Sequence, residues 1–367
     1  MFRSGMVVAL ALWLAGSASV AAAQYLVRSG ESIQDTIDKA PPGSTIFVGP
    51  GVYRESGATR ALTITKNNIH LIGTPRLNQP VVLIQSGTQT QGIWVSPADS
   101  TDPDDPELPP CGVSNQRLRG FTLSGFTVQG FSGFGVYLTC VDGFNIHNNI
   151  SMANLTYAIF PVRSSHGNLF NNLVSGTQLD ACLYVGQDET MSVHNNTAYD
   201  CVIGMEIENS HHVQMFRNVA VGNTAGLLVD VVGNRQVTTI SDNFVTGNTI
   251  TDNNRPNTAP PSQDTSQIPP GIGFILEGAD RTYVANNQIT DNKFAGLTLV
   301  SPCAADPAFC TPPIDFDPNP DGNRVVMNTF KDNGVDVIYL PGGGQGNCFA
   351  ANRPAPIKSG SQLPRCQ

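Results

Sequence analysis

The stretch IGMEIENSHHVQMFRNVAVGNTAGLLV, Ile203 to Val229, decides the fold because it runs through one pattern and then starts it again. A small residue inside a short apolar strand, IGMEI, leads through FRNVAVGN to a second small residue and strand, AGLLV. Outward in both directions, QGIWV, FGVYL, YAIFP, ACLYV, IGFIL, AGLTL and NGVDV join the alignment. The shared position is Gly92, Gly135, Ala158, Cys182, Gly204, Gly226, Gly273, Gly296 and Gly334. Five uninterrupted steps measure 22 to 24 residues, and the wider gaps coincide with inserted loops. A fixed period of this size is the signature of a repeat architecture.

A second register agrees with the first. An asparagine follows the small residue by 14 positions at Asn149, Asn172, Asn196, Asn218 and Asn287, and Asn243 and Asn328 continue the series across insertions. Five residues further on stand Asn154, Asn223, Asn248, Asn292 and Asn333, with Thr177 and Cys201 as substitutes. Each unit is a set of short alternating segments between Gly/Asn turns, so it reads as several strands and not as strand plus helix. Stacked about 4.8 Å apart, parallel strands bury alternate residues inside a solenoid and turn the others outward. Asparagines at the turns can adopt left-handed backbone and bond the neighbouring coil as a ladder.

Ahead of the repeats, ESIQDTIDKAPPG offers a short amphipathic helix with Ile33 and Ile37 four residues apart and Pro-Pro-Gly ending it, suited to cap the first coil. Together, SIQDTIDKAPPGSTIFVGPGVYRE and the Asn-laddered repeats resemble the exported right-handed parallel β-helix proteins of the pectin-lyase-like superfamily. Within it, LYVGQDETMSVHNNTAYDCVIGMEIENS most resembles a bacterial group of parallel β-helix repeat proteins with no assigned activity, often encoded beside another exported protein. The likeness spans most of the chain for fold and is tight from about Tyr184 to Val229. Relatives in the superfamily include pectate and alginate lyases, uronan epimerases and galacturonidases, which share a coil and not a site. The Asp-Pro-His-Asp signature of mannuronan epimerases is missing here, as are the Asn-Thr-Asp and Gly-His-Gly motifs of polygalacturonases. The expected fold is therefore all-β: a single right-handed parallel β-helix over 24–340, with the N-terminal capping helix, three inserted loops and a C-terminal cap over 341–367.

Residues 1–23, with Arg3, the apolar run MVVALALWLAGSASV and the small-residue end AAAQ, read as a signal peptide; the run is too short to span a bilayer. An exported protein follows, periplasmic or extracellular. Eight cysteines suit an oxidising compartment. Proximity pairs Cys303 with Cys310, Cys348 with Cys366 and Cys111 with Cys140, and leaves Cys182 and Cys201 open. Net charge is −9 without a Lys/Arg cluster, which argues against nucleic acid and against anionic membrane as partners. A polyanionic substrate would need a bridging divalent cation.

Two outward columns carry the candidate chemistry: Tyr137, Phe160, Tyr184, Glu206, Leu228 and Ile275, and beside it Thr139, Val162, Gly186, Glu208, Asp230 and Glu277. Like charges this close are costly unless protonated, bridged or solvated. Glu208, Asp230 and Glu277 form an oxygen-only set suited to Ca²⁺, and Glu206 and Glu208 a carboxylate pair suited to acid/base work on a sugar. The bland reading is a solvated acidic stripe. Tyr184 with Arg163 could serve as base and carboxylate neutraliser in β-elimination on a uronate, while Tyr137, Phe160, Gln187 and Asp188 are candidate substrate contacts. A further column, His147, Phe170, His194, Phe216 and Ala285, places its histidines about 10 Å apart, so turn-side stacking fits better than a shared metal. His211 and His212 should point apart, and His166 has no evident partner.

The insertions Ser96–Arg117, Thr251–Pro270 and Ser301–Gly322 are Pro/Asp-rich and leave the coil at the borders of the outer strand. They are either decoration or walls that turn the columns into a groove for a linear polymer. The reading is an exported, monomeric protein that binds, and in its fullest form cleaves or epimerises, a polysaccharide. The alternative is a noncatalytic scaffold for another exported protein, with Phe170, Phe216 and Leu228 as contact candidates.

Overall fold

A computed structural model describes residues 23–98, 111, 116–305 and 307–367. Within them the chain winds into a right-handed parallel β-helix of three sheets of 12, 10 and 10 strands, with only short helices beside them. The proposed signal peptide and most of the insertion Ser96–Arg117 lie outside the described residues.

Register follows the repeat. Ile203–Glu208 pairs in parallel with Ala181–Gly186 on one side, Met205 opposite Leu183 and Glu208 opposite Gly186, and with Ala225–Asp230 on the other. Met205, Ile207, Leu227 and Val229 face a continuous apolar core, as two-residue alternation requires. The shared small residue is steric: a Cβ on Gly204 would lie 2.5 Å from the Gly226 carbonyl oxygen and 2.8 Å from Asn223 Nδ2.

The ladder exists, with a division of labour that the sequence reading missed. Asn218 accepts from the Asn196 backbone N–H at 2.9 Å and donates through Nδ2 to Val193 O and Asn248 Oδ1 at 2.9 and 3.0 Å. The left-handed residue is its predecessor: Asn148, Asn171, Asn195 and Arg217 have φ of 55 to 56°, and the buried asparagine after each carries the bonds. Two assignments slip. Asn248, not Asn243, continues the first column after Asn218, and Asn253, not Asn248, follows Asn223 in the second. The cause is extra chain after Asp230, a fourth insertion. Asn243 starts a separate rung, accepting from Val213 N at 2.9 Å.

All four disulfides form, and Cys182 joins Cys201. Cys201 fills the second Asn column and receives its neighbour's rung, its N–H donating to Asn223 Oδ1, so a covalent link replaces one side-chain amide. The helix Ile33–Lys39 closes the first coil with Ile33 and Ile37 buried and Ser32 as N-cap. Its Gln34 accepts from Thr63 N at 2.7 Å and donates to Thr63 O at 3.2 Å, which pairs the edge strand Arg60–Ile64. At the other end, residues near Lys358 and Arg365 bridge to Val337 and Phe349.

Candidate functional site

The functional face is the sheet that runs from Arg60–Ile64 to Val335–Leu340. Its outward residues form the two expected columns: Tyr184, Glu206, Leu228 and Ile275 in one, Gly186, Glu208, Asp230 and Glu277 in the other. These residues are not a surface. Glu206, Glu208 and Asp230 are 4, 6 and 7% exposed, so the solvated-stripe reading fails.

Burial comes from two walls. Thr251–Pro270 folds back across earlier coils, where Thr265 Oγ1 donates to Leu179 O at 2.6 Å and Arg255 bridges to Asp200 at 2.6 Å. Facing it is the fourth insertion, after Asp230. Asn209 binds Val232 through both amide atoms at 2.7 Å, and Gln187 Oε1 accepts from the Gln236 and Val237 N–H groups. Pro302 and Ala305 of the third insertion complete the rim. The enclosed groove has a volume of about 700 Å³, floored by Glu206, Glu208, Leu228, Asp230, Ile275, Glu277 and Thr298.

Glu206, Glu208 and Asp230 each bring a carboxylate oxygen within 4.8 Å of the others. Glu277 sits beside Asp230 on the next strand, so the tight trio contains Glu206 where the sequence reading had Glu277. Arg235 of the fourth insertion donates from Nε to Glu208 Oε1 at 3.1 Å. Asp180 faces Glu206 and accepts from the Tyr157 hydroxyl at 2.8 Å. Burial, reinforced by neighbouring carboxylates, pushes Glu206 and Asp230 well above the usual carboxylate range. Burial raises Asp180 to about 6 and Glu277 to about 7. Three buried oxygens lining the groove, Glu206 Oε2, Asp230 Oδ1 and Thr298 Oγ1, have no hydrogen-bond partner. A carboxyl cluster poised in this way can deliver a proton or surround a cation.

Tyr184 lies in contact with this cluster because residue 186 is glycine: a Cβ there would sit 2.1 Å from Tyr184 Cε1 and 2.4 Å from its hydroxyl. Burial followed by the Glu208 charge pushes the Tyr184 phenol well above its usual range. Arg163 is 3% exposed in the turn after Tyr157–Val162 and does not line the groove; Arg235 holds the cationic position instead. Tyr137 is fully buried under Trp94 and Phe160, at centroid distances of 4.0 and 5.1 Å, and Phe160 packs edge-on to Tyr184 at 4.7 Å. Tyr157 and Phe294 are the aromatic residues that reach the groove. Gln187 anchors a wall and Asp188 accepts from Ser164 N at 2.5 Å, so neither contacts the groove.

Sequence reasoning missed Tyr157, Asp180 and Arg235. Arg235 was hidden with its insertion; the lengthened step after Gly226 was the available signal. The histidine column is a ring stack, His147 on Phe170 at 4.6 Å and His194 on Phe216 at 4.9 Å. His211 bonds Ser241 and Thr239, His212 bonds Glu189 at 2.6 Å, and His166 bonds Asp142 at 2.8 Å.

A family model described as the right handed beta helix region matches residues 48–234, and one described as periplasmic copper-binding protein (NosD) matches residues 177–355. None of the curated proteins matches this chain. Among solved structures, the A-module of Azotobacter vinelandii mannuronan C-5 epimerase AlgE4 superposes with a TM-score of 0.66 at 15% identity, over 91% of this chain and 92% of that one. The AlgE6 A-module from the same organism gives 0.62 at 17% identity, over 90% and 91%. A variant of the periplasmic alginate epimerase AlgG gives 0.53 at 13%, over 90% and 76%. At these identities the likeness is one of fold.

Proposed function

Because this chain belongs to the right-handed β-helix family, whose coil leaves its outer faces free to carry a site, we propose that it is an exported glycan-binding protein that cleaves a polysaccharide in the groove over Glu206, Glu208 and Asp230. The observation that carries this is the buried carboxyl pair with unequal surroundings. Burial, then the Asp180 and Asp230 charges, push Glu206 well above the usual carboxylate range, while Glu208 makes an ion pair with Arg235. An oxygen of Glu206 lies within 4.8 Å of one of Glu208, close enough for both carboxyl groups to act on one glycosidic bond in a double displacement. Glu206 gives its proton to the leaving glycosidic oxygen as Glu208 attacks the anomeric carbon. Water then cleaves the glycosyl ester, returning its proton to Glu206.

The β-elimination alternative draws no support from a tyrosine with a raised pKa and an arginine outside the groove. Copper is a poor match for this groove: the cysteines are all in disulfides, and the trio that is, among the described residues, the one group of three or more His, Cys, Asp or Glu side chains placed to share an ion offers hard carboxylate oxygens alone. A hard cation such as Ca²⁺ suits those oxygens better. Four disulfides fit export to the periplasm or beyond.

The test is a panel of neutral, amino and uronic polysaccharides, with and without Ca²⁺, read for binding and for new reducing ends. Products that vanish in Glu206→Gln and Glu208→Gln, each still folded, are the expected result. Silence across the panel with folded protein would overturn the enzyme and favour a scaffold for another exported protein.

A further inference from the structure

The groove's charge points to a cationic occupant. Asp180, Glu206, Glu208, Asp230, Asp264 and Glu277 line it, against Arg235 as the one basic residue among the described lining residues. A polyuronate would bring like charge into a buried carboxyl cluster, and the one guanidinium there bonds Glu208. Glu206 Oε2 and Asp230 Oδ1 are more than nine-tenths buried without a partner, and so is Thr298 Oγ1, an outward residue two strands further along.

An ammonium group supplies what those oxygens lack. Asp230 Oδ1 is buried without a partner, and Glu277 stands beside Asp230 on the next strand. Calcium asks for six to eight oxygens, commonly including backbone carbonyls. On this floor the strand backbone is committed to the parallel ladder between coils, which leaves side chains alone to serve. The rest of the groove is apolar and aromatic, with Tyr157, Leu228, Ile268, Ile275 and Phe294, a lining for the C–H faces of pyranose rings beside a cation.

We propose that the groove recognises a glycan bearing free amino groups, a polymer or oligomer of 2-amino-2-deoxy sugars, with one ammonium seated on Asp230 beside Glu277, next to the Glu206 and Glu208 pair that does the chemistry. This rests on the glycan-groove reading and narrows it to a substrate class.

Titration calorimetry on the full exported chain at physiological salt tests it, with glucosamine oligomers, their N-acetylated counterparts, oligouronates with and without Ca²⁺, and oligolysine as a charge control. The expected result is at least tenfold tighter binding of the free amine than of the N-acetylated oligomer. Asp230→Asn should weaken it at least tenfold, and Asp142→Asn, in the strand Val141–His147 of the 12-stranded sheet, should leave it unchanged. Equal affinity for the N-acetylated oligomer, or uronate binding that needs Ca²⁺, overturns the amine and leaves the glycan groove standing. Equal binding of oligolysine, or indifference to Asp230→Asn, reduces the effect to bulk charge and overturns it too. Binding of no glycan removes both readings.

Discussion

At the scale of single residues, the groove stores an electrostatic cost that pH should expose. The pKa values of Asp180 and Glu277 rise to about 6 and about 7 in the folded chain, and those of Glu206 and Asp230 rise as well. A carboxyl group whose folded pKa exceeds its unfolded one favours folding fully below the unfolded value. That contribution is lost as pH climbs through the folded value. Stability should therefore fall between about pH 4 and pH 7. Glu277→Gln should remove about 2 kcal/mol of that fall, measured as the difference in urea midpoint between pH 4.5 and pH 8. A variant with the wild-type slope would show that Glu277 titrates as an exposed group. The sequence showed Glu206, Glu208, Asp230 and Glu277 in register but not their burial, because burial depends on walls contributed by chain far away in sequence. For the same reason Tyr137 and Phe160 looked like open stacking surfaces. Nothing local indicates that Trp94 and Tyr184 cover them.

At the scale of the element, the coil was legible because its two requirements, a small residue at the turn into the strand and an amide in the ladder, recur at fixed spacing. What failed was counting across insertions: the chain added after Asp230 moved Asn243 and Asn248 out of their assigned columns and concealed Arg235. The ladder's energetic weight is testable at Asn218, which is 1% exposed and bonds both neighbouring coils. Asn218→Ala strands the Asn196 backbone N–H and the Val193 carbonyl, and should cost about 2–3 kcal/mol. Asn352→Ala, in the last coil, should cost less, since it has a neighbouring rung on one side only. Thermal unfolding of the two variants checks the order, and equal losses would mean that the ladder does not act coil by coil.

At the scale of the molecule, the three sheets provide a stiff rod on which the walls are the variable part, and this is why fold was readable where function was not. Coil-to-coil stacking constrains the inward residues and the turns, whereas the groove depends on how three separate excursions meet over one face. The same stacking gives the rod two ends, and Gln34 has a consequence there for assembly. By pairing the N–H and the carbonyl that Thr63 would otherwise offer to a strand, it stops the molecule from growing. Ile37→Asp with Gln34→Ala should lift the helix and leave an end that recruits a strand from another copy. Sedimentation should then show mass rising with concentration, whereas a single species at every concentration would place the barrier to polymerisation elsewhere. On this view a seven-residue helix sets the length of the object, and separates a soluble protein from the beginning of a fibre.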